Sequence, residues 1–183
     1  MQASELFNQP NTILLDGGMG TMLQAAGMKL GTRPEDLNIE NPELIRSIHA
    51  KYAAAGSRVV NANTFGASPH KLADSKYTLE EVITAGIANC KQAVAPYGAL
   101  VTLDVGPLGE LLEPSGTLAF EDAVAEYGRI VRAGVAAGAD ILYFETFTDL
   151  YEMKAALLAA KENSTLPIMA SMSFEANSRT FTG

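Results

Sequence analysis

Short apolar segments and amphipathic helices alternate strictly along the 183 residues, a pattern that few folds accommodate. Each apolar segment is rich in β-branched residues or leucine and is followed by a glycine-rich or polar loop. Segments this short and this apolar are typical of parallel strands that are buried on both faces. Five strands are predicted: Thr12 to Leu15, Arg58 to Asn61, Leu100 to Val105, Ile141 to Phe144 and Ile168 to Ser173.

Capping residues predict where one of the helices begins and ends. Asn41 can cap a helix whose first turn accommodates Pro42, and Gly56 is suited to end it. Apolar side chains recur along this segment at helical spacing, so one face of the helix is predicted to be buried. The stripe consists of Leu44, Ile45, Ile48 and Tyr52.

Two further helix starts are predicted from pairs of residues three positions apart. Thr78 with Glu81, and Asp149 with Glu152, have the spacing at which an N-cap side chain and a carboxylate satisfy each other's backbone amides. A longer amphipathic stretch from Phe120 to Val131 predicts another helix. Strand and helix therefore alternate throughout the chain.

This alternation leaves two architectures, an open doubly wound sheet or a closed (β/α)8 barrel, and both place function on the loops after the strands. No linker, low-complexity tract or charge run divides the chain, so residues 1–183 are interpreted as part of a single domain. All five loops begin with a polar or acidic residue. They are Asp16 to Thr21, Asn61 to Gly66, Asp104 to Pro107, Glu145 to Phe147 and Ser173 to Glu175.

The charge balance excludes several classes of partner. The chain carries 13 basic and 21 acidic residues, a formal net charge of −8, which disfavours nucleic acid and anionic lipid. No apolar run approaches the roughly 18 residues that a membrane span needs. Residues 1–10 also lack the basic flank and apolar core of a secretory signal, so a cytoplasmic protein is predicted.

The chain offers few metal ligands. Its single cysteine, Cys90, cannot form an internal disulfide or a thiolate-rich metal site within one chain. Cys90 shares an apolar helical stretch with Ile83 and Ile87, which predicts a buried, inert thiol. His49 and His70 have no second ligand at metal spacing and are interpreted as ordinary polar surface.

The loop after the first predicted strand combines a carboxylate with glycines. It lacks the glycine order of a dinucleotide site, and Asp16 would repel a phosphate. A carboxylate beside exposed amides suits an amino acid, because Asp16 can hold its ammonium while the amides of Gly17 and Gly18 hold its carboxylate. Alternatively, Asp16 caps the next helix and the glycines only fit a tight turn.

Other acidic residues occupy equivalent positions at strand ends. Glu145 ends an apolar strand at the level where barrel enzymes carry catalytic groups, although a surface glutamate can also stand there. Asp104 lies at the same level and is a candidate substrate-binding residue. Asp104 and Asn61 could instead join neighbouring loops through hydrogen bonds, an interpretation that is favoured for Asn61.

Four motifs together resemble the homocysteine methyltransferase family along essentially the whole chain. The fuller motif from Asp16 to Met22 is more similar to the methionine synthase branch than to the betaine or S-methylmethionine branches. The resemblance implies a (β/α)8 TIM barrel, of which this chain contains about the first five βα units and is incomplete at its C-terminal end. The motifs are Leu14 to Met22, Asn63 to Gly66, Gly106-Pro107 and Phe144 to Thr146.

The resemblance also implies a substrate and a chemistry. A free thiol has a pKa of about 8.5, so homocysteine is a weak nucleophile until zinc deprotonates it. The thiolate then takes a methyl group from methylcobalamin, and cobalamin- and folate-binding modules separate from this domain supply that group. The resemblance places Asp16, Gly17, Gly18 and Glu145 at the amino-acid end of homocysteine, and Asn63 and Thr64 at the same mouth.

Family members hold zinc with three cysteines that follow the sixth and eighth strands, and this sequence contains no counterpart of them. We therefore expect a fragment of the enzyme that is inactive alone. Three alternatives remain: a binding-only module for an amino acid, a methyltransferase that uses betaine or S-methylmethionine, and an aldolase. A Schiff-base aldolase needs a lysine that ends a strand, whereas the lysines here fall in predicted helices and loops.

Overall fold

The structure is a computed structural model, and it describes residues 3, 5, 8, 10–29 and 31–182. The predicted domain boundaries, residues 1 and 183, lie outside the described residues, as does part of the N-terminal segment used in the prediction of a cytoplasmic protein. None of the helices in the described part of the chain is long and apolar enough to cross a membrane.

A parallel sheet of four strands forms the centre of the molecule, in the order β1-β2-β3-β4. Each strand pairs with the next one along the chain, without the reversal of order that defines a doubly wound sheet. The described strands therefore form a continuous wall of the barrel type. The strands are β1 (Val59–Asn61), β2 (Leu100–Val105), β3 (Ile141–Phe147) and β4 (Ile168–Met172).

The first predicted strand, Thr12 to Leu15, is not a full strand. Leu15 forms an isolated parallel bridge with Val59, and Leu14 accepts a hydrogen bond of 2.8 Å from the amide of Arg58. Leu14 is 55% exposed, so this segment is not buried on both faces as its apolar sequence predicts. It follows the edge of the sheet without completing a fifth strand.

In the part of the chain that the structure describes, six α-helices connect or flank the strands. Short 3-10 helices precede α2 and follow α4, at Pro34–Asp36 and Ala95–Tyr97. The α-helices are α1 (Met19–Ala25), α2 (Leu37–Glu40), α3 (Pro42–Ala54), α4 (Leu79–Val94), α5 (Phe120–Ala136) and α6 (Leu150–Asn163).

At two of the three predicted helix starts, the capping hydrogen bonds are all as predicted. The side chain of Asn41 accepts a hydrogen bond from the amide of Leu44 at the start of α3. At the start of α4, Thr78 accepts from the amide of Glu81 at 3.2 Å, and Glu81 accepts from the amide of Thr78 at 2.9 Å. These local bonds fix the positions of two helices around the sheet.

The predicted capping box at α6 is wrong, although the helix does begin there. Asp149 accepts from the amide of Tyr151, but Glu152 does not reciprocate. Its Oε1 atom instead accepts from the amide of Leu108 at 2.7 Å and from the hydroxyl of Tyr127 at 2.8 Å. Both donors are buried and would lack a partner without Glu152. Leaving them unpaired would cost more free energy than the loss of one hydrogen bond at the helix end.

The two faces of the sheet have different surroundings. The outer face packs against α4, α5 and α6 in the main hydrophobic core, which includes the rings of Tyr127, Phe144 and Phe147. The inner face begins with an apolar layer made of Val59, Leu100 and Ile141. Inner positions two residues further along the strands are polar.

This polar layer joins adjacent strands through side-chain hydrogen bonds. The hydroxyl of Thr102 donates to Oδ1 of Asn61 at 2.8 Å, which supports the interpretation of Asn61 as a connecting residue. The hydroxyls of Tyr143 and Ser171 lie 3.2 Å apart. Since side chains alternate along a strand, the next inner positions belong to Asp104 and Glu145.

Cys90 is buried, as predicted, whereas the prediction for His49 is wrong. His49 is 0% exposed, and both of its ring nitrogens are buried without a hydrogen-bond partner among the described residues. It lies four residues after Ile45 and therefore on the buried stripe of α3. His70 remains at the surface, where its Nδ1 lies 3.0 Å from a carboxylate oxygen of Glu110.

Candidate functional site

A cavity of about 460 Å³ opens at the carboxyl ends of β1, β2 and β3. This is the end of the sheet where the loops after parallel strands converge. Six of the seven candidate substrate-binding residues line it. They are Asp16, Gly17, Gly18, Asn63, Asp104 and Glu145.

Asp16 is held at the cavity by main-chain contacts rather than by capping α1. Its Oδ2 atom accepts from the amide of Asn61 at 3.1 Å, and its Oδ1 atom is buried without a partner among the described residues. The N-cap residue of α1, Gly18, has no side chain, so the capping alternative is excluded. Burial raises the pKa of Asp16 to about 7, and nearby Glu145 adds to the rise, whereas backbone hydrogen bonds oppose it.

The glycine loop rests on Tyr52, which contributes to the wall from α3. A Cβ atom at Gly17 would lie 3.1 Å from the Tyr52 ring, and the Tyr52 hydroxyl donates to the carbonyl of Gly18 at 3.2 Å. No described residue accepts a hydrogen bond from the amide of Gly17 or Gly18. The loop therefore presents two main-chain donors beside the Asp16 carboxylate.

Glu145 lies next to a distortion of β3. The register between β3 and β4 shifts between Phe144 and Phe147, so that β3 contains one extra residue there. Thr146 has a φ of 58°, a conformation that β-branched residues rarely adopt, and its amide donates to Oγ of Ser171 at 3.1 Å. Backbone strain of this kind is concentrated at functional sites.

Asp104 is the most enclosed carboxyl of the cavity. It is 5% exposed, its Oδ1 atom receives no hydrogen bond from an N–H or hydroxyl among the described residues, and it shares the cavity with Glu145 of the neighbouring strand. Burial raises the pKa of Asp104 well above its ordinary range. Glu145, Asp16 and Glu35 raise it further.

The two predicted site residues after β1, Asn63 and Thr64, lie differently with respect to the cavity. Asn63 lines the cavity, but its amide group is engaged by the carbonyl of Pro34 at 2.7 Å and by Oδ1 of Asn38 at 2.9 Å. Thr64 lies behind the wall, contrary to the prediction that it lines the mouth. Its hydroxyl donates to the carbonyl of Asp104 at 2.8 Å and accepts from the Asp104 amide at 3.1 Å.

The cavity includes a carboxyl that the sequence does not reveal. Glu35 is 5% exposed and accepts from the amide of Gly66 at 2.7 Å, and burial raises its pKa. It lies on the 3-10 helix that precedes α2, so a search restricted to strand ends cannot find it. Its position depends on how the loop after α1 folds back over β1.

Phe65 supplies the apolar part of the wall. A Cβ atom at Gly106 would lie 2.6 Å from its ring, so the ring packs directly on the backbone after β2. The ammonium of Lys71 lies 5.5 Å from the centre of this ring and donates to the carbonyl of Pro107 at 2.6 Å. Lys71 thus joins the loops after β1 and β2.

The described residues do not fit a zinc site. No group of three or more histidine, cysteine, aspartate or glutamate side chains within them is arranged to hold a metal ion. Cys90 faces the core, with its sulfur 3.8 Å from the carbonyl of Val60, and burial raises the pKa of its thiol. The cavity instead combines carboxyl groups with main-chain amides that have no acceptor in the described part of the chain, which suits a small molecule that carries both a positive and a negative charge.

Comparison with known sequences gives a family match over most of the chain. Residues 13–183 match the model of the family described as Homocysteine S-methyltransferase. A methionine synthase from Mycobacterium tuberculosis is 29% identical over an alignment of 178 positions that covers 87% of this chain and 15% of that protein.

Solved structures give a similar result. The metallated form of the homocysteine methyltransferase MmuM from Escherichia coli superposes with a TM-score of 0.81 at 23% identity, covering 97% of this chain and 68% of that one. The oxidized form superposes with a TM-score of 0.76 at 27% identity, covering 92% of this chain and 64% of that one. The fold is thus that of TIM-barrel methyltransferases, of which this chain spans a part.

Proposed function

The chain belongs to the homocysteine S-methyltransferase family, and we propose that it is the homocysteine-binding part of an enzyme of the methionine synthase type. One observation carries this proposal. The carboxyl groups of Asp16 and Glu145 line one cavity together with Gly17 and Gly18, whose amides donate to no acceptor among the described residues. An amino acid has the matching charges, an ammonium and a carboxylate on one carbon.

In this proposal the ammonium of homocysteine lies between Asp16 and Glu145. Its carboxylate accepts hydrogen bonds from Gly17 and Gly18, whose loop Tyr52 supports from below. The thiol-bearing side chain of homocysteine then points along the cavity. The contacts at the amino-acid end of homocysteine therefore orient its thiol. Orientation of this kind is the contribution that a binding domain makes to a transfer reaction.

The raised pKa of Asp16 makes this binding sensitive to pH. Below a pH of about 7 the ligand-free carboxyl is largely protonated, and the ammonium must displace that proton. Affinity for homocysteine therefore increases as the pH rises towards 7 and changes less above it. A ligand without an ammonium should not show this dependence.

The metal and the methyl donor enter the proposal through the family. One structural relative is described in a metallated form, and zinc bound by a family member would deprotonate the thiol. The described residues do not fit such a metal, so their proposed role is limited to binding and orienting the amino-acid end. Methylcobalamin from a separate module is the proposed donor, resupplied through a folate-binding module.

A binding-only module is the second candidate, and the lack of a metal-ligand group among the described residues favours it for this chain taken alone. The two candidates share the same substrate site. They differ in whether the chain alone transfers a methyl group, and we propose that it does not.

Calorimetry with three related ligands tests the proposed binding mode. We expect L-homocysteine to bind, 4-mercaptobutyrate to bind at least about tenfold more weakly because it lacks the ammonium, and 3-mercaptopropylamine to be weakened because it lacks the carboxylate. Equal affinity for L-homocysteine and 4-mercaptobutyrate would show that Asp16 and Glu145 do not hold an ammonium.

A further inference from the structure

Two carboxyls line the cavity besides Asp16 and Glu145, namely Glu35 and Asp104, and Asp104 lies on the strand next to that of Glu145. We propose that Asp104 is a positioning residue: it stays a neutral carboxylic acid and donates its proton to Glu145, so that Glu145 presents an oriented negative charge to the substrate ammonium. This inference rests on the proposed function and assigns Asp104 a role through Glu145 rather than a substrate contact.

The geometry favours a proton between the two carboxyl groups. Asp104 and Glu145 lie on the same face of neighbouring strands and line one cavity. Two ionised carboxylates that face each other there have only acceptors to offer. Oδ1 of Asp104 is buried, and no N–H or hydroxyl of the described residues donates to it. A shared proton is the arrangement that turns this contact into a hydrogen bond.

The burial of the two groups indicates which one keeps the proton. Asp104 is 5% exposed, whereas Glu145 is only partly buried and borders the open cavity. An ionised carboxylate is least costly where water or a cation can reach it. The charge therefore belongs on Glu145 and the proton on Asp104.

The other charged groups around Asp104 act in the same direction. They come from three elements: Glu145 from β3, Asp16 from the loop before α1, and Glu35 from the 3-10 helix before α2. All are acidic. Thr64, which also contacts Asp104, engages only its main-chain amide and carbonyl and supplies no charge.

Substrate binding does not remove this preference. The ammonium brings one positive charge to Asp16 and Glu145, which already carry two negative charges when both are ionised. A third buried negative charge would have no partner, and unpaired buried charges are strongly unfavourable. Asp104 therefore keeps its proton in the complex, where its hydrogen bond to Glu145 strengthens because the acceptor is charged.

Amide substitutions separate this role from that of the neighbouring carboxyls. Asparagine at position 104 keeps a donor for Glu145, so Asp104→Asn should bind L-homocysteine within about threefold of the wild-type chain. Asp104→Ala should lose about tenfold. Asp16→Asn and Glu145→Gln serve as matched controls, because the same chemical change there removes a charge that the ammonium needs, and both should lose about tenfold or more.

The four variants distinguish the failure of this inference from the failure of the proposed function. If Asp104→Asn loses as much affinity as Asp16→Asn and Glu145→Gln, Asp104 acts as an anion and the inference is overturned while the function stands. If Asp16→Asn and Glu145→Gln bind like the wild-type chain, or if the wild-type chain does not bind L-homocysteine, the proposed function is overturned.

Infrared spectroscopy of the ligand-free chain provides a readout that needs neither binding nor the alanine variant. A neutral carboxylic acid absorbs separately from carboxylates and amides, so the wild-type chain at pH 8 should show a carboxylic acid band. At this pH Asp16 is largely ionised. The band should lose intensity in Asp104→Asn and keep its intensity in Asp16→Asn. A wild-type spectrum without the band, or an unchanged band in Asp104→Asn, would overturn the inference.

Discussion

The hydroxyl of Tyr127 donates a hydrogen bond of 2.8 Å to Oε1 of Glu152, which joins α5 to α6 beneath the loop that follows β2. Because Glu152 also accepts from the amide of Leu108, this contact links two helices to the loop after β2. We expect Tyr127→Phe to lower the free energy of unfolding by about 1–3 kcal/mol, since a buried carboxyl loses a donor. Chemical denaturation measures this change.

An exposed ion pair between α5 and α4 provides the control. Arg129 of α5 lies 2.7 Å from Glu80, and both side chains are about half exposed. Arg129→Ala should change the free energy of unfolding by less than about 1 kcal/mol. A larger effect for Arg129→Ala than for Tyr127→Phe would contradict the structural role assigned to the buried network.

Gly106 is predicted to set the position of the Phe65 ring. In Gly106→Ala the new methyl group would lie 2.6 Å from the ring and 2.9 Å from the Phe65 carbonyl, so the apolar wall must move. We expect at least about tenfold weaker binding of L-homocysteine. Gly128→Ala is the matched control, because Gly128 lies on α5, does not line the cavity, and a Cβ atom there would meet only the side-chain ends of Arg132 and Asn163, at 3.1 Å and 3.3 Å. Equal binding by both variants would show that the Phe65 wall does not contribute.

His49 should destabilise the protein, and more so in acid. Burial lowers its pKa from 6.5 to about 4, so between these values the unfolded chain binds a proton that the folded chain does not. The free energy of unfolding therefore falls as the pH decreases from about 6.5 to about 4. His49→Leu removes this contribution and two unpaired nitrogens, so we expect a gain of about 1–3 kcal/mol at pH 7.5 and a larger gain at pH 5. Denaturation curves at the two pH values measure both. A gain that is the same at both would contradict the burial of a neutral imidazole.

The 183-residue chain is predicted to bind no zinc tightly. Cys90 faces the core and His49 is enclosed by α3 and its neighbours, so neither can reach a shared ion without unfolding. Metal analysis after dialysis should find no stoichiometric zinc. A chelator-resistant equivalent of zinc would mean that ligands other than those described come together in the folded chain.

The helix starts and strands can be predicted from the sequence because the interactions that set them involve residues close together in the chain. The caps at Asn41 and Thr78 and the apolar runs of β2 and β3 are set by neighbours along the chain. The failures depend on distant contacts. Glu152 leaves its local capping position because Tyr127 and Leu108 arrive from other elements, which the residues near position 152 do not reveal.

The same distinction holds for the cavity. Asp16, Asp104 and Glu145 can be predicted because parallel strands bring their carboxyl ends to one edge. Glu35 cannot, since it reaches the cavity from a long connection between helices. The polarity of His49 leads to the wrong prediction of a surface position, although its spacing from Ile45 puts it on the buried stripe of α3. At that position, the periodicity of α3 indicates burial and the residue type does not.

The binding of L-homocysteine by Asp16 and Glu145 is the central claim, and calorimetry on the folded chain tests it most directly. At pH 8 we expect Asp16→Ala, Asp16→Asn, Glu145→Ala and Glu145→Gln each to bind about 10- to 150-fold more weakly than the wild-type chain, since each loses a charge-assisted hydrogen bond worth roughly 1.5–3 kcal/mol. Amide and alanine variants should be similar if the charge dominates. Wild-type affinity in both alanine variants would remove these residues from the site and leave only the fold.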